Sequence, residues 1–400
     1  MYIALYDRKF LNEFLGTFRY ESILLLLIIS YSLLRDLAGG EIVYFDRFLL
    51  WVFQAFIFGF FITKIHHQKN HRNYLQRKPQ TNLFNVTYWA GFIASLLTLL
   101  LILYPAFDRL YESIQLDEYY ERYASFEVRY RAYGIAENLT FTYSYVLGLF
   151  AGYSLLMINR QKYLIIPFFT FLIGVIFNAR IGFVAILVFL FIVFFQKRWS
   201  NIVTFLSLLG VILLSYTLFA EENVLFTLLS NDWALDFFRQ ISDTLFGTSL
   251  SQYGNTFDTL TGSFVALPQD TLEWVFGSGK SLFNAFDNNT DIGYLLQLNY
   301  GGILLLSLII LFILVTSARL IKSLKYSHWF TTFLILSILI LNYKGFIFAG
   351  TPGGRLLFFY YVYFIYNKRN TKAHTIIGKN YNYNENNKKD VTPALFDIQS

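Results

Sequence analysis

The sequence predicts an all-α polytopic membrane protein with about ten transmembrane helices, on three observations. Hydrophobic side chains make up 56% of its 400 residues and charged ones only 14%, against about 25% charged in ordinary soluble domains. Aromatic residues reach 20%, with 45 Phe and 30 Tyr. Apolar runs close to the ~20 residues needed to cross a bilayer recur along the chain. Cysteine is absent, which excludes a disulfide scaffold, a Cys-based metal site and a thiol nucleophile.

In chain order the expected spans are 18–36, 48–65, 84–107, 138–158, 164–179, 181–196, 202–220, 292–316, 329–349 and 354–367. The first, fifth, sixth and tenth rest on the shortest apolar runs. The first also has the outline of a signal sequence, with Ala38-Gly39-Gly40 as a small-residue exit. It lacks an A-x-A cleavage site, so an uncleaved signal anchor is the expectation. Residues 1–367 read as one integral membrane domain. The Asn- and Lys-rich stretch 368–400 reads as a disordered cytoplasmic tail.

Charge sets the expected orientation. With the N-terminus inside and the spans alternating, inside segments carry 21 of the 32 Lys and Arg and 6 of the 26 carboxylates. The inside is then +15 and the outside −9, as the positive-inside rule requires. Both termini become cytoplasmic. The net charge of +6 is thereby explained by topology rather than by nucleic-acid binding. Two long external segments follow, 108–137 and 221–291. The second mixes Phe, Leu and Trp with Asp and Gly and is expected to form short amphipathic helices at the interface. No matched pair of broken spans marks a transporter repeat.

The external cations are nine Arg and two Lys, whereas the internal ones are eight Arg and thirteen Lys. Insertion does not demand that difference. A guanidinium is a rigid fork for phosphate oxygens, so external arginines beside spans point to a phosphate-bearing ligand. Pairing with external carboxylates is the alternative for each of them. Arg180, in Asn178-Ala179-Arg180-Ile181-Gly182, occupies a tight connection between two apolar spans, where a charge is costly and functional by default. A snorkelling anchor is its other reading. Lys344, in Asn342-Tyr343-Lys344-Gly345, reads as a cation inside an apolar helix, and Arg355 follows Gly353-Gly354. Arg131 opens Arg131-Ala132-Tyr133-Gly134 before the fourth span. Tyr133 and its neighbouring tyrosines offer either a sugar-stacking platform or an interfacial aromatic belt.

A further constellation runs Phe276-Gly277-Ser278-Gly279, then Asp287 to Tyr294 through Asp291 and Gly293, then Asn299-Tyr300-Gly301-Gly302. Asp291, where the chain enters a span, suits a general base of raised pKa or a helix N-cap. Asp287 shares its face if the helix begins early. Gly277-Ser278-Gly279-Lys280-Ser281 has the ending of a phosphate-binding loop, but the first glycine of that pattern is replaced by Trp274. All five histidines fall on the inner side, and no D-x-D pair stands outside. Metal-dependent chemistry and bound cofactors therefore have no support in the sequence.

These features together resemble the Wzy-type polysaccharide polymerases, which build O-antigen and capsule from repeat units and are related to the O-antigen ligases. The resemblance rests on the span count, the large late external loop, the Arg-x-Gly at a tight external turn, the run "G-x-G … D-x-G-Y-L … G-G" and the span ending Asn342-Tyr343-Lys344-Gly345. It implies a GT-C-like, metal-independent glycosyltransferase in the bacterial cytoplasmic membrane. Its substrate would be an oligosaccharide on undecaprenyl diphosphate, and flippase and chain-length regulator proteins its partners. By position Arg180 looks like the family's diphosphate arginine, joined by Arg131, Lys344 or Arg355. Asp291 stands where the related ligases present a His. Gly277, Gly279, Asp287, Tyr294 and Tyr133 would position the glycan or its loop. The large loop departs from the pattern in having no Arg between Arg239 and Lys280, which leaves the second phosphate ligand open. An O-antigen ligase is the near rival, and a lipid-linked glycan flippase the rival of another class.

Overall fold

Inside hydrocarbon each backbone N–H and C=O must be paired by protein, and a helix does so within one segment. The computed structural model describes residues 8–75, 83–103, 141–178, 181–195, 199–204, 206–207, 267–280, 292–322, 328–345 and 354–366. Among these every regular element is helical. The helices are α1 (Arg8–Thr17), α2 (Arg19–Gly39), α3 (Phe45–Trp51), a π-helical turn Val52–Phe58 that runs on into α4 (Gly59–Leu75), α5 (Leu83–Leu103), α6 (Phe141–Met157), α7 (Ile165–Asn178), α8 (Ile181–Phe195), α9 (Thr271–Phe276), α10 (Gly293–Ile321), α11 (His328–Lys344) and α12 (354–366).

Among the described residues, three helical stretches are long and apolar enough to cross a membrane: Arg19–Gly39, Phe45–Lys69 and Gly293–Ile321. Five shorter apolar helices accompany them. The described helices lie over nine of the ten expected spans, and 202–220 is described only as far as residue 207. Of the two long segments expected outside, 108–137 lies outside the described residues. The described part of 221–291 holds one short helix, α9. Asp270 caps it by accepting the Glu273 backbone N–H at 2.8 Å, and Glu273 reaches back to the N–H of Gln269 at 3.2 Å, a reciprocal capping arrangement.

Contacts divide the chain into two units, residues 1–84 with 263–400, and residues 85–262. In the first, α2 and α10 run antiparallel. At one end Arg319 of α10 binds Glu21 and the Thr17 carbonyl. At the other, Tyr300 of α10 meets Asp36 of α2 at 2.6 Å. Helix α12 lies alongside, with Tyr361 donating to Glu21 and Tyr366 to Glu13. Its first residues therefore lie toward the Arg35–Asp36 end. Aromatic rings fill the interior. Trp51 meets Phe358 edge-on with centroids 4.7 Å apart, and Phe60 packs against Phe10, Phe14, Phe18 and Tyr366. Lipid tails are as apolar as leucine, so such packing, worth about 0.5–1.5 kcal/mol per aromatic pair beyond area, and buried hydrogen bonds hold the helices together.

In the second unit, α6 is gripped by α7 and α8. Ser144, Gly148 and Gly152 form a small-residue stripe along α6. A Cβ at Gly148 would come within 2.2 Å of the Gly182 carbonyl, and one at Gly182 within 2.5 Å of the Ser144 hydroxyl. The start of α8 is thus level with the start of α6. Tyr88 and Ser154 share a buried hydrogen bond of 2.6 Å beside this packing.

Candidate functional site

The most elaborate polar arrangement among the described residues lies at the Arg35 end of the first unit, where α10 breaks. Gly302 has φ 65° and ψ −169° inside the helix, so the single span expected at 292–316 is two helical pieces. The break exposes backbone carbonyls that no helix continues to pair. The turn after α9 supplies the missing donors. Ser278 donates its N–H (2.7 Å) and its hydroxyl (3.0 Å) to the Asn299 carbonyl, and Gly279 donates its N–H to the Tyr300 carbonyl at 3.0 Å. The Tyr31 hydroxyl lies 2.9 Å from the Gly301 carbonyl and 3.0 Å from that of Phe276. Non-helical backbone beside apolar spans is stable only when other parts of the protein satisfy it in this way.

Glycine at both motifs is required by geometry. Gly277 has φ 77°, and a Cβ there would fall 2.2 Å from the Tyr300 carbonyl; at Gly302 it would fall 2.2 Å from that of Val275. The "G-x-G" and "G-G" pairs are therefore the two faces of one backbone-to-backbone contact. A third motif joins them. A Cβ on Gly293 would meet the Asn342 carbonyl at 2.1 Å and that of Gly345 at 2.4 Å, so the start of α10 lies directly on the end of α11. Gln297 seals this contact by donating a buried hydrogen bond of 2.7 Å from Nε2 to Oδ1 of Asn342, and the Tyr294 hydroxyl lies against Asn342.

Arg35 and Asp36, which the sequence reading left among the external charges, complete the arrangement. Asp36 is buried. One of its oxygens accepts the N–H groups of Tyr44 (3.2 Å) and Phe45 (2.9 Å), and the other accepts the Tyr300 hydroxyl. It thereby fixes the turn between α2 and α3. Arg35 donates from Nη2 to the Gly277 carbonyl at 2.7 Å. Its Nε is buried without a partner, a deficit of about 1–3 kcal/mol for a buried donor. No ion pair joins it to a carboxylate among the described residues.

Of the expected site residues, Gly277, Gly279 and Tyr294 belong to this arrangement. Lys344 is the last residue of α11 rather than a cation inside it, because Gly345 closes the helix with its N–H on the Leu341 carbonyl. Arg355, half-buried, is the second residue of the described part of α12. The N-cap position of α10 belongs to Ile292, one residue later than the capping alternative for Asp291 requires. Arg131, Tyr133, Arg180, Asp287 and Asp291 lie outside the described residues. Gly182 shows why Arg-x-Gly has its glycine: α8 needs contact with α6 at that point. The sequence reading missed Arg35 and Asp36, the Gln297–Asn342 pair and the α6 stripe. Only the stripe, small residues four apart, carries a local signal.

No protein-family model, curated protein or solved structure matches the chain.

Proposed function

We propose that the chain is a metal-independent glycosyltransferase that polymerises oligosaccharide repeat units carried on undecaprenyl diphosphate at the outer face of the bacterial cytoplasmic membrane. The observation that supports it best is the convergence of three motifs, Gly277-Ser278-Gly279, Gly293-Tyr294 with Gly301-Gly302, and Asn342 to Gly345, on the first ten residues of one broken helix. Such construction holds a loop rigidly against the end of a span, where a lipid-linked glycan presents its anomeric carbon.

The reaction needs two things. The acceptor hydroxyl forms a bond to the donor's anomeric carbon while the bond from that carbon to the diphosphate oxygen breaks. The electron pair leaves with undecaprenyl diphosphate, and the hydroxyl proton passes to a base. We assign the proton to Asp291, two residues before Gly293, and the growing diphosphate charge to Arg180 with Arg131, Lys344 or Arg355. Preorganised cations aimed at charge that develops in the transition state act most strongly where water is excluded. Against transport, the buried carboxylates among the described residues of the first unit, Glu21 and Asp36, lie near opposite ends of α2, and residues 22–34 between Glu21 and Arg35 are all apolar or hydroxyl. A translocation path wants charges at mid-depth.

The test is elongation of lipid-linked repeat units in membranes holding the full chain, read as a ladder of chain lengths. Arg180→Ala is expected to slow turnover about 100-fold or more, as loss of one charge-stabilising donor does, and Asp291→Asn by about 100-fold to 10,000-fold. Wild-type ladders from either variant refute the role given to that residue. A deletion strain separates the ligase: single repeat units remain attached to the acceptor when a polymerase is lost, and none when a ligase is lost.

A further inference from the structure

We infer that Arg35, held by the turn Gly277–Lys280, forms a phosphate-binding site at the membrane boundary, and that its occupant is a lipid-borne diphosphate. The identity of the lipid rests on the proposed function; the phosphate chemistry does not. Arg35 lies four residues before the end of an apolar helix long enough to span a membrane. A guanidinium there is expected to face a carboxylate. Among the described residues it has none, and its one bond is to a neutral carbonyl. The neighbouring carboxylate, Asp36, is occupied by Tyr300 and two backbone N–H groups.

The turn acts as a rigid support rather than as an anion nest. Its N–H groups are already used: Gly277 on Glu273, Ser278 on Asn299, Gly279 on Tyr300, and Lys280 on the Ser278 hydroxyl. What it offers is a fixed carbonyl that orients the guanidinium, and a close glycine face. A Cβ at Gly279 would come within 3.2 Å of Nη2. Nε is buried, and the remaining Nη N–H groups of the fork are left for a ligand that brings its own negative charge. Lys280, exposed and next in the chain after Gly279, supplies a second cation. A planar fork with a mobile point charge beside it suits a phosphate oxygen cluster. The site would be the second phosphate ligand that the large loop lacks.

The test uses the full chain in nanodiscs with three probes: undecaprenyl diphosphate, phosphatidylglycerol, and inorganic pyrophosphate as a water-borne competitor. In the wild type, undecaprenyl diphosphate is expected to shield Arg35 from phenylglyoxal, read by peptide mass mapping; this needs no substitution. Arg35→Ala is expected to raise the Kd for undecaprenyl diphosphate by about tenfold or more. Arg35→Lys should recover only part of the loss, and Lys280→Ala should weaken binding less and flatten its salt dependence. An Arg35 that reacts equally with and without undecaprenyl diphosphate, or an Arg35→Ala protein of wild-type melting temperature that binds it normally, overturns the inference and leaves Arg35 a clamp between α2 and the turn. Protection by phosphatidylglycerol alone supports the phosphate site and refutes the carrier as occupant. Arg35-dependent binding of undecaprenyl diphosphate without any elongation supports the inference while the proposed function fails.

Discussion

At Gly302 the backbone takes φ 65° with ψ −169°, a region that only glycine occupies at low cost. A Cβ there would also fall 2.2 Å from the Val275 carbonyl, so two penalties add. Gly302→Ala is expected to destabilise the protein by at least about 1–3 kcal/mol, the cost of holding a non-glycine residue in such a region, read as a lowered unfolding midpoint in detergent. Gly301→Ala also clashes, with the Leu305 Cβ at 2.4 Å, but without a positive φ, and is expected to cost less. A Gly302→Ala midpoint equal to that of the wild type would mean that the break is not a backbone contact. The double glycine is visible in the sequence, but its reason is not. Its partner is the Gly277 turn, about 25 residues back across a stretch with no periodic pattern, and positive φ leaves no trace in hydropathy. The same blindness applies to Arg35, whose carbonyl partner lies 242 residues away.

Helix α2 is tied at both ends by polar groups, and those ties set its partners where apolar faces alone would not. Near one end Glu21, with no exposed surface, accepts from Arg319 of α10 and from Tyr361 of α12. Removing one member leaves the other as a charge without its partner, at a cost of about 3–5 kcal/mol for a fully buried pair. Arg319 keeps 27% of its side-chain exposure, so the loss from Glu21→Leu belongs at the lower end, about 3 kcal/mol. Arg319→Met strands the buried carboxylate and is expected to cost more. The double variant Glu21→Leu with Arg319→Met is expected to recover most of the loss, because an apolar pair of similar size often replaces a buried ion pair without penalty. A double-mutant cycle on unfolding in detergent measures this, and strict additivity contradicts the tie. The helices themselves were legible, since a long apolar run has few other solutions in lipid. Which helix pairs with which was not, because mean hydropathy is nearly uniform around these helices and the choice falls to a few buried polar atoms.

Across the first unit these ties fix which ends of α2, α10, α11 and α12 lie together. Arg35, the Gly277–Lys280 turn, the end of α11 and the start of α12 lie toward one end, while Glu21, Arg319 and Tyr366 lie toward the other. Counting Lys and Arg along the chain assigns Arg35, Lys280, Lys344 and Arg355 to one side of a membrane and Arg319 to the other, an expectation that thiol accessibility can check. Helix α10 has 29 residues, about 43 Å at 1.5 Å per residue, against a hydrocarbon thickness of about 30 Å. Even the piece after Gly302 reaches roughly 28 Å by the same rise. It is therefore long enough to put its ends on opposite faces of a bilayer, and the chain, having no cysteine, permits a direct test. Glu41→Cys and Lys322→Cys place single thiols at exposed positions, one in the turn after α2 and one just past α10. In intact cells a membrane-impermeant maleimide is expected to label position 41, and to label position 322 only after permeabilisation. The reverse order would invert the molecule and put the proposed site in the cytosol, where a glycan already carried to the outer face cannot reach it. Labelling of both from one side would mean that α2 and α10 do not cross the membrane as their length and composition allow, and the positive-inside count would lose its physical basis.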